Sequence, residues 1–201
     1  METITYTVRT GLYLNITNRC PCACTFCIRN NGSCVYGSEP LWLDHEPSAD
    51  EIRADLDRYD LDSFEEIVFC GYGEPTERLD TLLETAAYIR SKSKVPVRIN
   101  TNGLSDLIHG ERTAPRLAGL IDVVSVSLNA TTPEEYLKLV RPKFGLPSFD
   151  AMLAFTRDCK EFVPSVRMTI VDTVTTKEEQ ERSRAICDEL GVELKIRPYE
   201  S

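Results

Sequence analysis

Two hydrophobic patterns take turns along the chain, a short alternation of period two and a longer apolar spacing of helical period. Residues 11–17 (GLYLNIT) alternate and predict a strand. Residues 48–59 (SADEIRADLDRY) open with Ser48 followed by Glu51, the signature of a reciprocal N-terminal cap, and predict a helix. Residues 65–70 (EEIVFC) form a short apolar run bounded by glycine and predict a buried strand, and residues 77–92 carry an amphipathic helical pattern. The same succession continues with a strand at 95–100 and a helix at 105–120, where Pro115 is the expected break. A strand at 122–129 precedes a helix at 132–140 with Pro133 in its first turn. A helix at 148–162, a strand at 165–174, a helix at 176–191 and a strand at 192–199 complete the chain.

Strand–helix alternation of this kind, about six times over, predicts a parallel sheet with right-handed crossovers. Six units are too few to close an eight-stranded barrel. The expected fold class is therefore α/β, a partial (β/α)6 TIM-like barrel, in one domain over residues 1–201. Ligands of such sheets bind at the carboxyl ends of the strands, so the informative residues should follow each strand. The stretch 28–47 has no periodicity and carries glycines, prolines, Trp42 and His45; it reads as a long functional loop or lid.

Composition narrows the chemistry. The chain has 201 residues and a net charge of −9, from 32 acidic and 23 basic side chains. That balance disfavours a broad nucleic-acid surface, which needs a basic patch. The mixed charges of 177–184 (KEEQERSR) read as a solvated helix face. No apolar run approaches the roughly 18–20 residues that span a bilayer. The N-terminal segment lacks the basic and apolar regions of a signal peptide, so a cytoplasmic protein with no membrane partner is expected.

Eight cysteines then stand out, four of them in residues 18–30 (NRCPCACTFCIRN). In a reducing compartment, clustered thiols favour metal or redox chemistry over disulfides. Zinc sites usually join two separated C-x2-C pairs, and no second pair exists here. Cys20, Cys24 and Cys27 instead form C-x3-C-x2-C, three thiolates able to hold three irons of a [4Fe–4S] cluster. Cys22 reads as a bystander, although the four thiols allow other choices of three. Cys159 and Cys187 fall in helical patterns and read as core; Cys70 ends a strand, and Cys34 stands alone in the loop.

This spacing after the first strand of a βα array resembles the radical S-adenosylmethionine (SAM) superfamily. The resemblance extends over roughly residues 11 to 199, and includes an impression of small TatD-associated members and of activating enzymes. It implies a [4Fe–4S] cluster on Cys20, Cys24 and Cys27, SAM on the open iron, and Phe26 near the adenine. The segment 70–76 (CGYGEPT) falls where the family has Gly-Gly-Glu-Pro, with Tyr72 in place of the first of those two glycines. Gly71, Tyr72, Gly73 and Glu74 are thereby expected at the SAM amino group, Glu74 as the acidic partner. Asn100 in 100–103 (NTNG), Ser127 and Asn129 in 125–129 (SVSLN), and Arg167 are the further expected SAM contacts. Ser127 and Asn129 share one sheet face by the strand period. Arg197 reads as a weaker candidate for the substrate cavity.

The implied activity is reductive cleavage of SAM to methionine and a 5′-deoxyadenosyl radical, which takes hydrogen from an unidentified substrate. An external electron donor such as flavodoxin or ferredoxin would be a partner. Tyr36, Trp42 and His45 are loop candidates for substrate contact; His109 reads as a helix or surface residue. The competing readings are an iron–sulfur redox sensor and a structural zinc site using Cys22 as the fourth thiolate, neither cleaving SAM.

Overall fold

Each predicted strand is present, with its ends shifted by up to a few residues, in the computed structural model, which describes residues 3–31, 41–172 and 175–198. The parallel strands are β2 (Gly11–Leu14), β3 (Glu66–Phe69), β4 (Val97–Thr101), β5 (Val123–Ser127), β6 (Ser165–Val171) and β7 (Glu193–Arg197). One strand was not anticipated: β1 (Thr5–Val8) pairs antiparallel with β2, Tyr6 opposite Tyr13. Its turn at residues 9–10 has no Asn-Gly signature, and Arg9 takes the left-handed conformation itself (φ 53°). The seven strands run in chain order β1 to β7 across one sheet, whose two edges do not pair. The barrel is therefore partial, as expected, with a hairpin strand added at one edge.

The α-helices are α1 (Ala49–Leu56), α2 (Leu79–Lys92), α3 (Ser105–His109), α4 (Pro133–Val140), α5 (Pro147–Cys159) and α6 (Lys177–Leu190). Ser48 and Glu51 form the expected reciprocal cap on α1, and Thr176 with Glu179 does the same for α6. The expected helix at 105–120 is instead α3 followed by a 3-10 turn (Ala114–Leu117). The break falls at Gly110, not Pro115: Gly110 closes α3 in the left-handed conformation (φ 67°), and Pro115 starts the next turn.

Strand periodicity divides the sheet into two faces. Leu12, Leu14, Ile67, Phe69, Val97, Ile99, Val124, Val126, Met168 and Ile170 pack against the helices in one continuous core. Each such side chain contributes roughly 1.5–3 kcal/mol when fully buried. The opposite face, the barrel interior, is mostly polar: beside Val68, Val123 and Val171 it carries Tyr13, Arg98, Asn100, Ser125, Ser127, Arg167, Thr169, Lys195 and Arg197. Arg98 is buried there and joined to Glu66, to the Tyr13 hydroxyl (3.3 Å) and to Asn100. Among the described residues, no helix is long and apolar enough to cross a membrane.

Candidate functional site

The chain leaves β2 through a loop that carries the four clustered cysteines, and three sets of contacts pin this loop. Asn15, fully buried, donates to the carbonyls of Thr3 (3.1 Å) and Leu41 (2.7 Å) and accepts from the Tyr72 amide (3.3 Å). Glu46 receives Arg19 in a two-pronged ion pair (2.7 and 3.0 Å) and the Thr17 hydroxyl (2.5 Å). On the far side, α4 stops at Arg141 in the left-handed conformation. Its last carbonyls are thereby free to accept from the loop: Thr25 donates to Leu139 (2.9 Å) and Ala23 to Val140 (3.1 Å), while Lys143 donates back to Pro21 (2.8 Å).

Within this frame the Cys22 thiol is buried and neighbours those of Cys20 and Cys24. The mutual interaction of these thiols holds Cys20 and Cys24 below the usual range, against the cost of burial, and pushes Cys22 up. The Cys27 sulfur accepts from Arg29 Nε at 3.4 Å. Arg29 is held by the carbonyls of Asn18 (3.3 Å) and Cys22 (3.4 Å), with its guanidinium over the Trp42 ring. Burial opposes the charge of Arg29, yet the Cys27, Cys20 and Cys24 sulfurs together raise its pKa. One cation thus faces the three thiols of the C-x3-C-x2-C set. Among the described residues, no three His, Cys, Asp or Glu side chains are arranged to hold a single metal ion.

Asn102 adds a second donor, its side-chain amide 3.6 Å from Cys22 Sγ and 4.0 Å from Cys20 Sγ. Sequence reasoning passed over it in favour of Asn100. The reason is one residue of strand length: β4 runs on to Thr101, so Asn102 is the first residue beyond the sheet. Asn100 lies lower, accepting from Arg98. Arg29 and Asn15 were missed as well, having no spacing signal of their own.

Glu74 is braced, not open. Its carboxylate accepts from the Thr76 amide (3.1 Å) and hydroxyl (2.7 Å), the Thr101 hydroxyl (2.7 Å) and the Asn102 amide (2.7 Å). Burial pushes its carboxyl above the usual range, and these four bonds work in the other direction. They commit most of its lone pairs, so Glu74 ties the β3 turn to the β4 turn and orients Asn102. The tight approach expected of Gly71 and Gly73 is to the cysteine loop itself. A Cβ on Gly71 would lie 2.0 Å from Asn15 Oδ1, and one on Gly73 2.2 Å from the Thr17 carbonyl. Gly73→Ala is expected to cost about 1–3 kcal/mol by overpacking, read as a lowered Tm. The Tyr72 ring is likewise committed, buried with Tyr6, Val8 and Leu41 and 5.0 Å from the Trp42 ring.

Asn129 caps β5 in the left-handed conformation (φ 59°), and its buried Oδ1 has no hydrogen-bond partner among the described residues. It forms one wall of a cavity of about 230 Å3 with Thr25 of the cysteine loop, Thr131, Glu135 and Thr175. Phe26 is half-buried next to Thr25, and Ser127 is half-buried two residues before Asn129. Arg167 pairs in register with Ser125, one side-chain level deeper in the barrel than the Ser127–Thr169 pair. The described ends of the supposed lid are tied down: Asn18 and Leu43 exchange two bonds (2.7 and 3.1 Å), and His45 meets Glu51 at 3.0 Å. Cys34 and Tyr36 lie outside the described residues. His109 contacts the Thr76 carbonyl at 2.8 Å, and Cys159 and Cys187 are core residues.

The fold has solved counterparts. Streptococcus suis SuiB bound to the precursor peptide SuiA superposes with a TM-score of 0.67 at 16% identity, over 98% of this chain and 40% of that one. Native anSMEcpe with bound AdoMet gives 0.63 at 17% identity, over 93% of this chain and 50% of that one. Methylornithine synthase (PylB) gives 0.62 at 14% identity, over 94% and 53%. The chain thus spans about half or less of the length of these proteins. A search of the curated proteins finds no match. The family model of the radical SAM superfamily matches residues 14–184, from the end of β2 into α6, and the chain belongs to that superfamily.

Proposed function

We propose that this protein is a radical SAM enzyme whose Cys20, Cys24 and Cys27 hold a [4Fe–4S] cluster. The observation that carries this reading is the pinned loop that sets three thiols against one cation, Arg29, with Asn102 as a second donor. The donor set fits: thiolate is the ligand these clusters take, and nitrogen donors at the sulfurs adjust their potential. A bound, reduced cluster would supply the electron that cleaves SAM to methionine and a 5′-deoxyadenosyl radical able to abstract a substrate hydrogen.

The chain's own residues bind and orient. Asn129 Oδ1, buried and unpartnered, offers an acceptor to a hydroxyl or ammonium donor of SAM. Ser127 adds a hydroxyl on the same face, Phe26 an apolar surface by the cavity, and the backbone from Gly71 to Gly73 further polar groups. Asn100 and Arg167 stand one level below them, toward the interior. Glu74 acts through Asn102 and the two turns it joins. An external one-electron donor of the flavodoxin or ferredoxin kind completes the system.

Anaerobic reconstitution with iron and sulfide, followed by dithionite and SAM, tests the reading. About four irons per chain and 5′-deoxyadenosine by mass spectrometry are expected. Stoichiometric zinc, or iron without SAM cleavage across reductants, would replace it with a structural or sensing site.

A further inference from the structure

The inner faces of β6 and β7 carry three cations: Arg167, Lys195 and Arg197. Leu194 and Ile196 pack toward the helices, which turns Lys195 and Arg197 to the barrel interior. Lys195 stands beside Thr169 and Arg197 beside Val171, so the row continues across β6 to Ser127 on β5. Along β7 the two cations are about 7 Å apart, one side-chain repeat.

The contrast with the neighbouring cation is informative. Arg98, on the same face, is neutralised by Glu66. Arg167 and Arg197 each bury Nε with no hydrogen-bond partner among the described residues. A buried guanidinium nitrogen without an acceptor is costly. Two acidic groups share the face. Glu66 is committed to Arg98, and Glu193, opposite Arg167 in register, is solvent-exposed, as is Lys195. The half-buried Arg167 and Arg197, with Lys195 at the exposed rim, make a local cationic patch in a chain of net charge −9.

We propose that this wall binds an anionic oxygen group of the substrate, a carboxylate or a phosphate, with Arg197 and Lys195 as the principal contacts and Arg167 beneath them. The assignment of this anion to a substrate rests on the radical SAM reading above, because it places the group beside the residues proposed to hold SAM.

The test is an NMR titration of the protein, without SAM, against succinate and separately inorganic phosphate, at constant ionic strength with chloride as the control. Saturable shifts at the amides of Thr169 and residues 195–197 are expected, for the probe whose class the wall selects. Lys195→Glu with Arg197→Glu should weaken that binding about tenfold or more. Shifts absent for both probes, matched by chloride, or unchanged in the double variant overturn the proposal. SAM cleavage by the unaltered protein is scored separately, so failure of the radical SAM reading and failure of the anion wall give different results.

Discussion

Alanine at Cys20, Cys24 or Cys27, one at a time, is expected to abolish both cluster retention and 5′-deoxyadenosine formation, whereas alanine at Cys22 leaves both measurable. A cube held through three thiolates has no spare protein ligand, so losing any one exposes an iron to solvent and to loss. Cys22 differs from the other three in what its backbone does. It forms a bridge with Pro142, and its side chain is buried against the core. Cys22→Ala should therefore cost about 1 kcal/mol of packing while sparing the iron. Its thiol nevertheless lies between Cys20 and Cys24, which makes the comparison decisive. Iron content after reconstitution, measured for all four variants, reads the ligand set directly. Iron lost in Cys22→Ala and kept in Cys20→Ala would move the ligand set to another three.

The second large effect concerns Glu74. Its replacement by alanine is expected to destabilise the protein by several kcal/mol even with no cluster or SAM bound. Four donors, from Thr76, Thr101 and Asn102, converge on this carboxylate in a buried setting. Each donor left without an acceptor costs about 1–3 kcal/mol, against a total stability of about 5–15 kcal/mol. Urea unfolding of the metal-free protein measures the loss. A group whose task is only to hold the SAM amino function would leave that curve unmoved and weaken SAM binding alone. Glu74→Gln should fall between, since its amide keeps one acceptor oxygen and turns an NH2 toward a donor. Because Asn102 hangs from the same carboxylate, both variants should also disturb the cysteine loop.

These two predictions show how the site is built. The cysteines are the proposed ligands, but a loop of this kind cannot hold its shape alone. Asn15, Glu46 and the carbonyls at the end of α4 fix its path, and Glu74 fixes the turn that reaches over it. Gly71 and Gly73 let the β3 turn pass close to that path, so their absent side chains serve the loop's placement.

Order and type of the parallel strands were legible in the chain, because period two and helical period are local properties. The same is true of the caps at Ser48 and Thr176, where donor and acceptor are three residues apart. The three-thiol spacing was equally local, and with it the family. What local pattern could not carry was partnership across long separations. Asn102 and Cys20 are 82 residues apart, and Glu74 and the Asn102 amide 28. Which asparagine reaches the sulfurs turned on where β4 ends, and whether Glu74 is open or braced turned on the burial of a turn. The β1 hairpin escaped notice because its turn borrows a left-handed arginine instead of a glycine. The unmet cations of β6 and β7 are ordinary charged residues in the sequence. Only the sheet, by turning them to one interior face and leaving the Arg167 and Arg197 Nε atoms without acceptors among the described residues, brings them together as the proposed wall. Sequence determined the elements and the spacing of the thiols, since both follow from neighbouring residues; tertiary structure decided the contacts, since burial and hydrogen-bond partners are set by parts of the chain far apart along it.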